Sequence, residues 1–281
     1  MYRIDNRYAS TTLPTPASQG PGGFFTGGDP TTGQSATIVD ADFLNAVQEE
    51  LINIVTRGGL TPDKTNRTQL LLALSNLFTG AWQNITATQD LLVPSWATQF
   101  AFELSGAGGG GAYCQANGGL YQSGAGGGAG GAAQGQRAVS PGELIHVIIG
   151  AGGPSDQAGG SSSLAYGSDW TVTATGGQPG LWHDGGSGCA GGQGGIAYGA
   201  DGDILIAASY GDDGQTGTYI TAGNGGAGLW GGAGRAGYTA GIAAGGPGSG
   251  GGGAYDSNAN GNVRYNGGSG SNGILRYRFM P

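Results

Sequence analysis

The chain predicts a mainly β fold: an extensive polyglycine-II-like body of irregular chain, with a small α-helical N-terminal module. Three observations carry this expectation. The chain holds 66 glycines, 57 of them in the last 181 residues, against ordinary usage of about 7%. Strand-like runs interrupt that glycine. Two stretches of helical period stand ahead of it.

Ordering a residue's backbone costs about 1–2 kcal/mol, and glycine offers no side chain to bury in return. Chain this rich in glycine is therefore either disordered or held by its own amides. Disordered glycine-rich linkers take Ser, Gln or charge as companions and lack large apolar residues. Here Phe100-Ala101-Phe102-Glu103-Leu104 alternates, and residues 144–149 form a continuous apolar run. Residues 170–174, 204–206 and 274–279 also read as strands. Chain that carries its own strands is expected to fold, glycine runs included. Collagen is excluded, because 11 prolines are too few and glycine keeps no strict three-residue period. What remains is extended, threefold, left-handed chain of polyproline-II type. Such chain has no internal hydrogen bonds. Neighbouring chains would bond to each other at about 1 kcal/mol net per bond.

Residues 1–37 mix Pro14, Pro16, Pro21 and Pro30 with six glycines and hold neither helix nor strand period. They are expected to form an extended N-terminal attachment arm. A merely flexible arm is the plainer alternative. Four aromatics, Tyr2, Tyr8, Phe24 and Phe25, favour one that wraps a neighbouring protein.

Residues 38–80 read as a helical hairpin and oligomerisation module. Asp40 caps the first helix and Asp42 stands in its first turn, where negative charge suits the dipole. The helix is expected to run to about Arg57 and stop at Gly58-Gly59. Leu44, Val47, Leu51 and Ile54 are spaced three, four and three, a two-heptad seam, widened by Phe43 and Val55. A second helix is expected from about Asn66 or Arg67 to Phe78. It sets Leu70, Leu71, Leu74, Leu77 and Phe78 on one face. Two short helices make a poor independent core, so self-association around these seams is expected. Residues 81–96 form a junction, and residues 97–281 the glycine-rich β domain.

Charge is sparse: 10 basic against 18 acidic residues, formal net −8, with Lys64 the one lysine. No basic patch offers itself to nucleic acid. No apolar run reaches the ~18 residues of a membrane span. The first residues lack the apolar core of a signal peptide, so synthesis and folding in a cytoplasm are expected. Cys114 and Cys189 are the two cysteines; in that compartment reduced, packed thiols are expected over a disulfide.

The order of pieces resembles a known family. Residues 25–33 (Phe-Thr-Gly-Gly-Asp-Pro-Thr-Thr-Gly) and 36–51 are similar to the N-terminal module of tail fibre proteins of tailed phages and prophages. Gly58-Gly59-Leu60-Thr61-Pro62-Asp63-Lys64 and Gln69-Leu70-Leu71 continue the likeness. Phe43 stands where that family often has Trp. Residues 104–111, Gly150-Ala151-Gly152-Gly153 and Gly273-Ile274-Leu275 resemble the glycine-rich C-terminal domain often fused to such modules. The resemblance implies a virion protein at the tail tip or baseplate, usually a homotrimer. Its N-terminal part would dock to tail or baseplate proteins and its C-terminal part would touch a bacterial surface receptor, polysaccharide or protein. For docking and self-association the candidates are Phe24, Phe25, Phe43, Leu44, Val47, Leu51, Ile54, Leu70 and Leu74.

A polyglycine lattice is featureless, so recognition must lie in what interrupts it. Candidate receptor-binding residues are Trp182, His183 and Asp184 first, then Tyr113, Tyr121, Trp230, Tyr238 and Tyr255. Tyr and Trp bring large contact area at low entropy cost, and Ser, Gly and Asn adapt their hydrogen bonds. For any single ring, covering a strand edge or filling a gap between glycine chains is the plainer role.

Other chemistry is set aside. GxGxxG-like strings recur by chance in chain this glycine-rich, and none opens a βαβ unit. Lys64 follows no phosphate-binding loop. His146 lies in an apolar run and reads as a core histidine. Asp201-Gly202-Asp203 and Asp212-Asp213 read as solvated turns, lacking EF-hand spacing. No cofactor, metal or catalytic motif is expected. Two alternatives stay open: a baseplate or fibre spacer that binds nothing, and a polyglycine-type ice-binding protein.

Overall fold

The computed structural model describes residues 2–79, 82–115, 122–182, 188–215, 221–258 and 263–280. The chain divides into two compact units, Met1–Ala81 and Trp82–Met280. Among the described residues it is mainly β with two helices, both in the first unit.

In the first unit, α1 spans Ala41–Arg57 and α2 spans Gln69–Thr79. Asp40 Oδ1 accepts from Phe43 N at 2.8 Å, capping α1 as its sequence requires. The Gly58 amide bonds to the carbonyl of Ile54, and Gly59 follows at φ +76, where glycine carries no Cβ penalty. The helices close on each other through Ile52 and Val55 of α1 and Ala73 of α2, all buried. A Cβ on Gly58 would lie 2.5 Å from Ala73 Cα, so two small residues let the backbones meet. The hairpin therefore does not use the upper half of the predicted seam: Leu44 and Val47 stay exposed, while Leu51, Ile54, Leu70 and Leu74 are half-buried. Ile52 and Val55 win because that face can reach Ala73. Phe43 is exposed and takes the edge of Phe25 at 5.0 Å; Phe24 is 99% exposed. The arm lies on its own helices. Arg3 pairs with Glu49, the Ile4 amide donates to Gln48, and the Ala17 amide donates to Asp42.

The second unit opens with β1 (Gln83–Ile85), β2 (Gln89–Leu92) and β3 (Gln99–Ser105). Then come β4 (Cys114–Gln115), β5 (Gln122–Ser123), β6 (Ala132–Ala138), β7 (Leu144–Ile148), β8 (Ser162–Tyr166) and β9 (Trp170–Ala174). Short strands follow: β10 (Gly188–Cys189), β11 (Ala197–Tyr198), β12 (Ile204–Ile206), β13 (Gly214–Gln215) and β14 (Gly237–Tyr238). The last are β15 (Ala254–Asp256), β16 (Arg264–Tyr265) and β17 (Ile274–Met280). β1 and β2 fall inside residues 81–96, where the sequence predicts a junction.

Two five-stranded antiparallel sheets, in the orders β1-β17-β3-β6-β12 and β11-β9-β8-β7-β2, enclose one core. β3 supplies Phe100, Phe102 and Leu104; β17 supplies Leu275, Tyr277 and Phe279; the facing sheet supplies Ile145, Val147, Leu164 and Val172. Phe100 stacks on Trp170 across the gap, centroids 6.3 Å apart. One expectation is corrected here. His146 is not a core residue: it points outward from β7 and pairs its Nδ1 with Asp90 Oδ1 at 2.7 Å, both side chains more than half exposed. The run 144–149 is apolar on both faces, so its alternation is hidden, but only Ile145 and Val147 face inward.

The strands then change character without a break in the chain. Where large side chains cease after Ser105, the chain continues as residues 106–112. Their amides donate in strict rotation. Gly106, Gly109 and Ala112 bond to the carbonyls of Gly131, Gly128 and Ala125; Ala107 and Gly110 to those of Gly160 and Gln157; Gly108 and Gly111 to those of Ser271 and Gly268. The carbonyls rotate likewise, accepting from Gly177, Gly153, Gly251, Gly180, Asp156 and Ala254. Each residue thus faces a different neighbour with period three, and six segments surround one. This is polyglycine-II packing, with threefold chains. Residues 124–131 repeat it: Gly124, Gly127 and Gly130 donate to Ala254, Gly251 and Gly248, while Ala125, Gly128 and Gly131 donate to Leu181, Gln178 and Thr175. Residues 104–112 and 122–133 are buried throughout. The lattice therefore grows from one end of the sandwich and has a second end of its own.

Candidate functional site

The lattice is capped at its second end by short ladders: β4 with β16, β10 with β13, and β14-β15-β5. Bridges join Gly124 to Trp182 and Gln215 to Thr221. Residues 116–121, 183–187, 216–220 and 259–262 connect these ladders and lie outside the described residues. The candidates Tyr121, His183 and Asp184 are among them.

A layered stack stands on this end. Trp182 lies on Tyr113 with centroids 4.6 Å apart and planes 27° apart. The Arg264 guanidinium covers Tyr113 at 3.8 Å. Its Nη2 donates to Asp156 Oδ2 at 2.7 Å, and Asp156 Oδ1 accepts from the Tyr113 amide at 3.0 Å. Asp156 holds φ +62, a left-handed conformation that short polar residues tolerate. Trp182 Nε1 donates to Gln122 Oε1 at 3.3 Å; Gln122 is buried and its Nε2 has no hydrogen-bond partner. Beside the stack, Tyr238 and Tyr255 meet at 5.8 Å. Asn258 donates from its carboxamide to the Tyr238 hydroxyl and from its amide to Asp256 Oδ1.

Four sequence-chosen residues, Tyr113, Trp182, Tyr238 and Tyr255, are thus brought to one end. Trp230 is not with them. It sits in the 228–232 turn, which Ser249 ties to the sandwich end: Gly228 N donates to Ser249 Oγ and Ser249 Oγ to the Gly231 carbonyl. Arg264, Asp156, Gln122 and Asn258 belong to the site and were not singled out. Arg264 carries the one signal available, a cation in glycine-rich chain that holds only one other, Arg235, between residues 139 and 273.

The thiols stand just beneath. Cys114 and Cys189 are free and buried. Burial, with a smaller contribution from Asp256, pushes the Cys114 thiol up to about 12. Burial raises Cys189 as well, and its Sγ donates to the Ser123 carbonyl at 3.4 Å.

A family model for the glycine-rich domain matches residues 84–280. The chain belongs to the glycine-rich domain family. A protein of Escherichia coli strain K12 named StfP, described as uncharacterized, is 39% identical over 77 residues. That stretch is 27% of this chain and 35% of the relative, so the chain matches about a third of that protein's length.

Elsewhere in the glycine-rich domain the acidic pairs are structural. Asp212 accepts from Asn224 and Asp213 from the Gly191 amide. Asp203 is not a solvated turn residue as predicted. Its side chain is wholly buried and pairs with Arg137, which packs over Phe102. Among the described residues no three His, Cys, Asp or Glu side chains gather as a metal site.

Proposed function

We propose that the chain is a non-enzymatic tail fibre protein of a tailed phage or prophage, carried in the virion at the tail tip or baseplate. Its N-terminal module attaches to tail or baseplate proteins and joins copies into a homotrimer. Its glycine-rich domain binds a bacterial surface receptor at the second end of the lattice. One observation supports this above others: Tyr113, Trp182, Tyr238, Tyr255 and Asn258 gather at the end of the lattice that carries the short ladders, on a lattice whose buried strands are glycine and alanine. Binding residues carried on loops over a rigid scaffold are a recurring arrangement. Leu44 and Val47, exposed on α1, support the oligomeric part, since an unpartnered seam calls for other copies.

Binding of the purified full chain to a panel of bacterial strains tests the proposal. Trp182→Ala should weaken binding to a susceptible strain about tenfold, the scale of one aromatic contact. Trp230→Ala, at the sandwich end, should leave it unchanged. Binding to no strain would return the chain to the spacer class, and equal binding by both variants would move the receptor contact away from the Trp182 end.

A further inference from the structure

We infer that the cavity between the N-terminal arm and α1 takes Phe24 of a second copy of this chain. The inference rests on the homotrimer proposed above and names the contact that builds it.

The first unit leaves most of its apolar surface uncovered. Among its described residues it buries three apolar side chains, Ile52, Val55 and Ala73, and exposes thirteen large ones. Exposed apolar surface on this scale marks a site of interaction.

The hole lies between residues 3–14 and α1. It is a cavity of about 810 Å³ whose apolar walls include Ile4, Leu13, Leu44 and Val47. That volume falls in the range of about 300–1,000 Å³ that holds a small ligand, so an aromatic ring and its neighbours have room. The arm side of the wall is tied to the helix. Arg3 bonds to both carboxylate oxygens of Glu49 at 2.6 and 2.7 Å, and the Ile4 amide donates to Gln48 Oε1 at 2.7 Å.

The knob is Phe24. It is 99% exposed and does not line the cavity of its own copy. The chain that follows it is nevertheless ordered. Phe25 rests on Phe43 of α1. The Thr37 amide donates to the Thr26 carbonyl at 2.9 Å and the Thr26 amide to Thr37 Oγ1 at 3.0 Å. Asp29 and Gln34 bridge the turn between them. A ring presented on ordered chain loses little further entropy on docking. Ile38, 89% exposed, follows Thr37 directly and widens the knob.

One chain thus carries both halves of a contact, at different places, and neither half is filled within it. A contact of that kind runs head to tail. Copies turned by a third of a circle close into a ring in which every Phe24 and every cavity is used.

Sedimentation of the purified full chain over a range of concentrations tests the contact. The expected wild-type species is a trimer. Phe24→Glu and Leu44→Glu should each weaken assembly at least about tenfold, with unchanged far-ultraviolet circular dichroism. Leu144→Glu, at an exposed position of the second unit, should leave the trimer as it is. Mixing the first two variants is the decisive arm. One keeps its cavity and the other keeps its Phe24, so at concentrations where each alone is monomeric they should form a 1:1 dimer and stop there. A trimer that either variant preserves would overturn the inference and leave the trimer itself standing. Variants that stay monomeric when mixed would overturn it too, since a head-to-tail contact must be restored. A wild-type chain that is monomeric at every concentration would overturn the homotrimer and this contact with it, and would give the cavity to a segment of another protein.

Discussion

Gly111 and Gly252 pass so closely that a Cβ built on Gly111 would stand 2.1 Å from the Gly252 carbonyl oxygen. That oxygen belongs to backbone held on all sides, so neither partner can move away. Gly111→Ala is expected to destabilise the glycine-rich domain by about 2–4 kcal/mol, at or above the usual range for overpacking. Gly23→Ala, where nothing lies within 4 Å, is expected to change stability by less than about 0.5 kcal/mol. Denaturant titration of the two variants makes the comparison. Equal stabilities would mean that the chains are not packed at glycine distance.

Lattice amides should also exchange slowly. Those of residues 106–112 and 124–131 are buried and donate to carbonyls in other segments, so each opens only when neighbouring chains separate. Amide exchange by mass spectrometry is expected to show these two segments protected as strongly as β3. The exposed glycines 20, 22 and 23 should exchange within the dead time. Fast exchange across 106–112 would contradict the hydrogen-bonded lattice.

Much of this architecture is legible from residue types, and what is not legible has physical causes. Residues 100–104, 144–149 and 170–174 read as strands because large side chains dictate burial. β6, Ala-Ala-Gln-Gly-Gln-Arg-Ala, carries no such signal; it is a strand because β3 pairs along its whole length. The threefold lattice is inferable from glycine content, yet its period of three exists in the hydrogen bonds and not in the sequence. Any residue without a Cβ serves at every position. At the site, Tyr113 and Trp182 stand out by chemistry. Asp156 and Arg264 lie 108 residues apart, and only the folded lattice brings them onto the same ring. Trp230 looks equivalent to Trp182 in sequence, but the turn that holds it folds back at the sandwich end.

Two ion pairs allow a direct contrast between burial and exposure. Asp203 is wholly buried against Arg137, while Asp5 and Lys64 are about half exposed or more. Removing one partner of a buried pair leaves an uncompensated charge, so Asp203→Ala is expected to cost about 3–5 kcal/mol. Asp5→Ala is expected to leave stability nearly unchanged, because solvent screens that pair already. Thermal unfolding of each variant separates them. A small loss at Asp203 would show that Arg137 finds another acceptor or reaches water.

Cys114 links burial to pH. Its thiol is pushed up to about 12 in the folded chain, from an ordinary value of 9.0, by burial first and by Asp256 second. Below pH 9 the thiol is protonated in both folded and unfolded chain, so it adds no pH dependence there. Between pH 9 and about 12 the unfolded chain releases this proton while the folded chain keeps it, and stability falls as pH rises. The thiolate is the reactive form. Native protein at pH 8 is therefore expected to leave Cys114 unmodified by an aromatic disulfide reagent for hours. Denatured protein should react within minutes. Cys114→Ser should flatten part of the loss of stability above pH 9, read as the difference between the two chains' denaturation midpoints across pH 8–11. Rapid modification of Cys114 in the native chain would mean that this end of the lattice opens readily. The stack of Trp182, Tyr113 and Arg264 would then be a mobile surface, not a preformed platform.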